Sequence, residues 1–293
     1  MSYHTRSGQE PSADLRSPSG LVNRTSEFRW KDLRALNIYY ENGDIKMFGE
    51  LPTFSYNYNK SLDLRNVNKD LLLNVFDNDA LTRGWNDEER ALARYISNVL
   101  AKERADAGRR EKVTDSFVNF LLVTLRFNVY PFSLELKADC HFKVHNKIVT
   151  SETDFSIWKD KLYVIIDEDK HIHNVSSNTG WGECQIAGEL LASAYVNHRE
   201  IQERYKVQNL FAIRVIGTRF TFYRAEIKSD YLNSFSEGFP ANEMSIYRYP
   251  AFSDQYPNRI PCLDYTDPGQ RRQILEIMIK IKNFVIQNKT VSG

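Results

Sequence analysis

The sequence predicts an α/β fold in which helices flank a mixed central sheet, and the order of its elements supports this prediction. An apolar helical pattern at about 113–126 precedes three segments that alternate between apolar and polar residues like strands. A second helix and two more strands follow. The strands are expected at 132–144, 148–158, 162–170, 210–217 and 219–227, and the second helix at about 183–196.

The connections between these elements exclude a doubly wound nucleotide-binding fold. Turn-forming residues at Asn146-Lys147 and Lys159-Asp160-Lys161 predict hairpins between the first three strands. A doubly wound sheet instead joins parallel strands through helices, and its dinucleotide-binding members contain a G-x-G-x-x-G motif that this chain lacks. The expected architecture is therefore an α/β sandwich.

The composition favours a folded protein of a reducing compartment. Hydrophobic residues make up 42% of the 293 positions, which is enough for a sizeable core. The net charge of +1 excludes no class of partner, because a nucleic-acid enzyme can keep its basic groups in one groove. The three cysteines, Cys140, Cys184 and Cys262, are widely spaced and in no CxxC pattern, so neither disulfides nor a zinc site is expected.

Targeting signals are also absent from the sequence pattern. The polar N-terminus has no apolar segment of the secretory type, and no apolar run reaches the roughly 18–20 residues of a membrane-spanning helix. We therefore expect an intracellular protein, cytoplasmic or nuclear, without a membrane partner.

The chain divides into three parts by composition. Residues 1–27 are rich in Ser, Arg, Gly and Asn, and we expect a disordered tail. Residues 28–112 form an N-terminal extension with a short strand pair at about 36–48 and a helix near 86–102. Residues 113–289 contain the α/β domain and end in one strong helix.

Two helices have clear start signals. Asn86 is followed three residues later by Glu89, the spacing of a capping box, and Asp267 precedes Pro268 at the start of the last helix. After the first of these helices, residues 102–112 contain five basic side chains. This segment is either a solvated hinge or a loop that contacts phosphates.

The feature that indicates chemistry is a charged strand end. The apolar segment 162–166 suits a central strand, yet it runs directly into Asp167-Glu168-Asp169-Lys170. Charges at the end of a buried strand are unfavourable unless they are paired or bound to a metal. Asp154 lies on the neighbouring strand, and the hairpin between the two strands should bring it close to Glu168.

Two carboxylates and an ammonium group at one strand end suit a magnesium or manganese site. Asp154 and Glu168, together with the backbone carbonyl of Asp169, offer the hard oxygen ligands that Mg²⁺ or Mn²⁺ prefers. The metal would lower the pKa of a bound water and neutralise charge on a phosphate. Lys170 would orient that water or stabilise the transition state.

These residues resemble the PD-(D/E)XK nuclease superfamily, in which an Asp and an E-x-K tripeptide occupy adjacent strands. The resemblance covers about residues 113–227, and the second half of the motif reads Glu168-Asp169-Lys170 without departure. The first half reads Glu152-Thr153-Asp154, so the proline is absent. The resemblance implies a restriction-endonuclease-like αβββαβ core with helical and irregular N- and C-terminal extensions, and a metal-dependent nuclease acting on DNA or RNA.

The same resemblance adds Gln185 as a residue that assists catalysis from the second helix. The pattern Q-x-x-x-Y of some branches is not met, because position 189 is Glu189. The segments 153–156 and 182–189 look like those of uncharacterised fungal nuclease-like proteins, some of them associated with crinkler-type effectors.

Other readings of the same residues stay open. The charged strand end could be a salt-bridged hairpin end on the surface, or the fold could serve as a catalytically inactive binding module or effector. Near the site, Glu135 and Lys137 either extend it or only face outward, and Glu183 is a possible further carboxylate. His171 and His173 are a weaker metal pair.

Overall fold

The computed structural model of the chain describes residues 15–51, 60–74, 82–105, 112–170, 182–201, 205–251, 261–287 and 291–292. In these ranges the α-helices are α1 (Trp30–Ala35), α2 (Lys69–Leu73), α3 (Asp87–Ala105), α4 (Lys112–Thr124), α5 (Glu183–Ile201), α6 (Ser229–Asn233) and α7 (Pro268–Gln287). The strands are β1 (Ile38–Asn42), β2 (Phe132–Val144), β3 (Lys147–Lys159), β4 (Leu162–Lys170), β5 (Val207–Ile216), β6 (Arg219–Lys228), β7 (Met244–Tyr249), β8 (Leu263–Asp264) and β9 (Val291–Ser292).

All of these strands belong to one open, mixed sheet. Its order is β1-β7-β6-β5-β4-β3-β2, and the short strands β8 and β9 pair with β6 and β5. β1 and β7 are parallel, as are β4 and β5, whereas the other neighbours are antiparallel. The predicted α/β class with a mixed sheet flanked by helices is confirmed, and the predicted hairpins link β2, β3 and β4.

Helices cover both faces of the sheet. Along β5, Phe211 and Ile213 belong to a core cluster with α3, α4 and α7. Leu210 and Ala212 belong to a second cluster with α1, α5 and α6. Because successive side chains of a strand point to opposite faces, the two clusters are the two sides of one sandwich.

The β2–β3 hairpin contributes to both layers. Phe132 and Leu134 pack in the cluster of α4, whereas the even-numbered residues from 138 to 144 pack in the cluster of α5. Between them Leu136 is 61% exposed and Lys137 has a positive φ of 55°. A left-handed residue in a strand is uncommon. Here it lies at the position where β2 passes from one layer to the other.

The structure confirms the two predicted helix starts, at Asn86 and at Asp267. Glu89 N donates to Asn86 Oδ1 and Asn86 N donates to Glu89 Oε2, both at 2.8 Å, which is the reciprocal pattern of a capping box. Gln270 N donates to Asp267 Oδ1 at 2.8 Å at the start of α7. Side-chain acceptors of this kind satisfy N–H groups that have no partner in the first turn.

The N-terminal third differs from the sequence-based expectation. The strand pair expected at 36–48 is not formed, because β1 pairs in parallel with β7 and Ile45–Phe48 is a 3₁₀ helix. Residues 1–14 of the expected tail lie outside the described residues. The rest of it, 15–27, contains two 3₁₀ turns, and Leu21 is buried in the core. One buried Leu in a polar segment is too weak a periodic signal to predict this packing.

Close contact between this segment and α5 depends on a glycine. A Cβ at Gly188 would lie 2.7 Å from the Thr25 side chain, so no larger residue fits without displacing residue 25. Thr25 Oγ1 also donates to Ser151 Oγ of β3 at 3.0 Å. In the described part of the chain, no helix is both long and apolar enough to cross a membrane.

A fully buried arginine ties α7 to the N-terminal part of the chain. Arg271 donates through Nε to the carbonyl of Tyr265 at 2.8 Å, through Nη1 to that of Asp63 at 2.8 Å, and through Nη2 to that of Val67 at 2.7 Å. Burial lowers the pKa of Arg271, which shows that its environment penalises the charge. The hydrogen bonds to carbonyls offset part of this penalty.

We expect Arg271→Met to reduce the free energy of unfolding by at least about 3 kcal/mol, because each buried carbonyl that loses its donor costs about 1–3 kcal/mol. The neighbouring Arg272 is a matched control. Its half-exposed side chain pairs with Asp63 at 3.2 Å, so Arg272→Met should cost about 1 kcal/mol or less. Urea denaturation of the two variants measures both values, and equal losses would contradict this assignment.

Candidate functional site

The pairing of β3 with β4 places the predicted acidic residues on adjacent strands. Phe155 pairs with Asp167 at the outer end of this ladder. Asp154 and Glu168 are the next residues outward on their strands, so they are neighbours across the hairpin. Within β4 the structure describes residues 166–170 by their backbone, and the side chains of Glu168, Asp169 and Lys170 lie outside the described residues.

Asp154 is in contact with a cation. Asp154 is 7% exposed, and its carboxylate accepts a hydrogen bond from Nζ of Lys137, whose side chain is about half exposed. Lys137 is the left-handed residue of β2 at which the hairpin changes layer, and its side chain reaches Asp154 on β3. Lys137 therefore does not only face outward, because it contacts a residue of the predicted site.

Gln185 makes its described hydrogen bond along its own helix. Gln185 Nε2 donates to Glu189 Oε1 at 2.7 Å, one turn later in α5, and Glu189 is fully buried. Glu189, which stands where the Q-x-x-x-Y pattern has Tyr, thus accepts the hydrogen bond from Gln185. No described hydrogen bond joins Gln185 to Asp154.

A buried ion-pair cluster surrounds the first residue of α5. Arg248 Nη1 of β7 lies 2.7 Å from both carboxylate oxygens of Glu183. Tyr223 of β6 donates to Glu183 Oε1 at 3.1 Å, and Arg214 Nη1 of β5 lies 4.0 Å from the same oxygen. The hydroxyl of Tyr40 donates to the backbone carbonyl of Glu183 at 2.6 Å. We call these five residues the Glu183 cluster.

The environment shifts the pKa of three members of this cluster, Tyr40, Tyr223 and Arg248. Burial raises the pKa of both Tyr40 and Tyr223 well above its usual value, so both hydroxyls stay protonated and act as donors. Burial by itself lowers the pKa of Arg248, but the Glu183 carboxylate together with Tyr223 and Tyr40 more than offsets this, and the net shift is upward. Glu183 is therefore occupied by cationic and hydroxyl donors, which argues against the considered role as a further metal ligand.

The weaker metal candidates, His171 and His173, lie outside the described residues. Among the residues that the structure describes, no group of three or more His, Cys, Asp or Glu side chains could hold a metal ion. Two of the three proposed ligand positions, Glu168 and Asp169, have side chains beyond that description.

No protein-family model matches this sequence, and no curated protein matches it either.

Sequence reasoning did not identify the arginines of the Glu183 cluster. A usable signal was present, because Arg214 interrupts the apolar run from Leu210 to Ile216. A charged residue inside a buried strand requires a partner, and that requirement predicts a nearby carboxylate. The sequence could not indicate which carboxylate, since Glu183 is 31 positions away and Arg248 is 34 positions away on the other side.

We expect Arg248→Met to lower the free energy of unfolding by about 3 kcal/mol, because it removes the closest counter-charge of a buried carboxylate. Arg214, at 4.0 Å, remains and limits the loss. The control is Arg219→Met, which breaks a partly exposed pair with Glu103 at 3.1 Å and should cost about 1 kcal/mol. Chemical denaturation gives both numbers, and a cost for Arg248→Met no larger than the control would contradict a tightly paired Glu183.

Proposed function

We propose that this protein is a divalent-metal-dependent nuclease that hydrolyses phosphodiester bonds in DNA or RNA. The observation that supports the proposal is the buried Asp154 carboxylate on β3, next to the position that Glu168 occupies on β4. β4 is a central strand that ends in an E-x-K tripeptide. The chain order α4, β2, β3, β4, α5, β5 agrees with the αβββαβ core of PD-(D/E)XK nucleases, and we propose membership of that superfamily.

The donor set suits a hard divalent cation. Asp154 and Glu168 provide carboxylate oxygens, and the carbonyl of Asp169 provides a neutral one, which is the ligand chemistry of Mg²⁺ or Mn²⁺. The contact between Asp154 and Lys137 shows that this carboxylate already faces a cation. When bound, the metal would lower the pKa of a water ligand and neutralise charge on the scissile phosphate.

The remaining residues would position the reacting groups. Lys170, two residues after Glu168, would donate to the attacking water or to a phosphate oxygen, where its charge stabilises the transition state. Gln185 would contribute a second donor from the first turn of α5. Lys137 would leave Asp154 when the metal enters, and its half-exposed ammonium would then contact the phosphate backbone.

A second function fits one observation. Because the described contact of Asp154 is an ion pair with Lys137, the same fold could be a catalytically inactive module that binds a partner. In that case Lys137 would have replaced the metal as the permanent counter-ion of Asp154. Metal binding separates the two functions, since an inactive module of this kind would bind no cation at Asp154.

The direct test is cleavage of single- and double-stranded DNA and RNA in the presence of Mg²⁺ or Mn²⁺. We expect the wild type to cut, and Asp154→Ala and Lys170→Ala to cut about 10²–10³-fold more slowly, the usual loss for a preorganised charged group. Asp139→Ala, at an exposed position on β2, is the control and should retain activity. A folded wild type that cuts none of these substrates, or variants that cut equally well, would refute the proposal.

Lys137 should compete with the metal for Asp154. Lys137→Met is therefore expected to bind Mn²⁺ up to about fivefold more tightly, because a half-exposed ion pair contributes at most about 1 kcal/mol. Lys143→Met, at an exposed position farther along β2, should bind as the wild type does. Titration calorimetry measures both affinities. Weaker binding by Lys137→Met would mean that Lys137 supports the metal site instead of competing for it.

A further inference from the structure

Strand β2 stands at one edge of the sheet, and the main chain there shows which groups face outward. Thr150 of β3 is the register partner of His141, yet its N–H donates to the carbonyl of Asn23 at 2.8 Å and not to β2. In an antiparallel ladder, pairs that exchange hydrogen bonds alternate with pairs that do not. His141 and Thr150 are a pair of the second kind, so the N–H and C=O of His141 point away from β3.

The same alternation applies two residues before and two residues after His141. The N–H and C=O groups of Asp139 and Lys143 therefore point to the same outer side of β2. In the part of the chain that the structure describes, none of these groups makes a backbone hydrogen bond outside the sheet. These positions consequently offer a row of donors and acceptors to another strand.

This row has a defined end on each side. Lys137 and His145 have positive φ angles of 55° and 52°, and the N–H of His145 already donates to the carbonyl of Phe235. Both residues are four positions from His141, so the stretch between them is symmetric about His141. We call residues 138–144 the open edge of β2.

The side chains of the open edge are complementary to the same stretch in reverse. Even-numbered residues of this stretch pack in the cluster of α5, so Asp139, His141 and Lys143 lie on the opposite face, where all three are exposed. An acid precedes His141 by two residues and a base follows it by two. When two such stretches run antiparallel with His141 opposite His141, Asp139 of each lies opposite Lys143 of the other.

We propose that the open edge of β2 pairs antiparallel with the open edge of a second copy of this chain, centred on His141. In this register residues 139, 141 and 143 of each copy exchange backbone hydrogen bonds with the other copy, because their outward groups meet. Two cross-strand pairs of opposite charge flank the centre. The interface is isologous, since both copies contribute the same patch.

The charges also select this register against others. Charged residues on an edge strand commonly prevent pairing. A register centred on Asp139 or on Lys143 places like charges opposite each other, which is destabilising, whereas the register centred on His141 joins opposite charges. The inference does not depend on the proposed nuclease activity, and Lys137 and Asp154 lie outside the paired stretch.

Sedimentation velocity of the full chain at increasing concentration tests this pairing. Because the paired stretch is short, we expect a weak dimer with a Kd on the order of 10–100 μM. Asp139→Lys and Lys143→Asp each turn two attractive pairs into two repulsive ones, so each should weaken the homodimer at least about tenfold. Glu243→Lys, at an exposed position before β7, is the charge-matched control and should leave the Kd unchanged.

Combining the two substitutions tests the register itself. In a mixture of Asp139→Lys with Lys143→Asp, both cross-strand pairs of the mixed dimer again join opposite charges, so the mixture should dimerise about as tightly as the wild type. One chain that carries both substitutions also restores both pairs, with an unchanged net charge. A dimer that forms through another surface predicts neither rescue.

His141→Pro tests the backbone part of the pairing without a charge reversal. Proline is tolerated where the N–H of an edge strand faces solvent, so the monomer should fold, whereas the central hydrogen bonds are lost and the dimer should weaken at least about tenfold. A wild type that stays monomeric about tenfold above the expected Kd would overturn the proposal. Single charge variants that dimerise as tightly as the wild type, or a mixture without rescue, would overturn it as well. Cleavage of nucleic acid is measured separately, so the proposed function stands or falls on its own.

Discussion

The structure depends on the burial of one carboxylate among two guanidinium groups. Glu183 is the first residue of α5, and Arg214 and Arg248 lie on β5 and β7, so the ion pairs join a helix to two strands from distant parts of the chain. Charges removed from water are tolerated in the fold only where they are paired. The ion pairs therefore hold the first turn of α5 against β5 and β7.

The other half of the candidate site depends on the path of the β2–β3 hairpin. Strand β2 begins in the layer of α4 and ends in the layer of α5, β3 returns to the layer of α4, and Lys137 and Asp154 lie where the two strands cross. Asp154 is buried at this crossing without being part of either apolar cluster, whereas the Lys137 side chain is about half exposed. This is why a carboxylate can be only 7% exposed and still have a lysine as its neighbour. Burial there strengthens the attraction of Asp154 for any cation.

The sequence pattern predicted those features that depend on residues close together in the chain. The bounds of β2 and β4 agree with the alternation of their residues, and the capping box at Asn86 agrees with its spacing. Non-local pairing was not predictable in this way. β1 pairs with a strand about 200 positions later, and the layer change of β2 is hidden because its apolar residues occupy even positions on both sides of Lys137. The partners of Glu183 were hidden for the same reason, since each lies on a different strand.

The N-terminal segment has a consequence for how the chain can be divided. Thr25 is hydrogen-bonded to Ser151, Asn23 accepts from the backbone of Thr150 at 2.8 Å, and Gly188 leaves room for this contact on α5. Residues 23–25 thus contact the half of β3 that is nearer to the β2–β3 turn, and Asp154 lies farther along the same strand. The segment and the sheet consequently form one unit of inheritance: a recombination event that exchanged the first 28 residues would also have to exchange the complementary surface on β3 and α5.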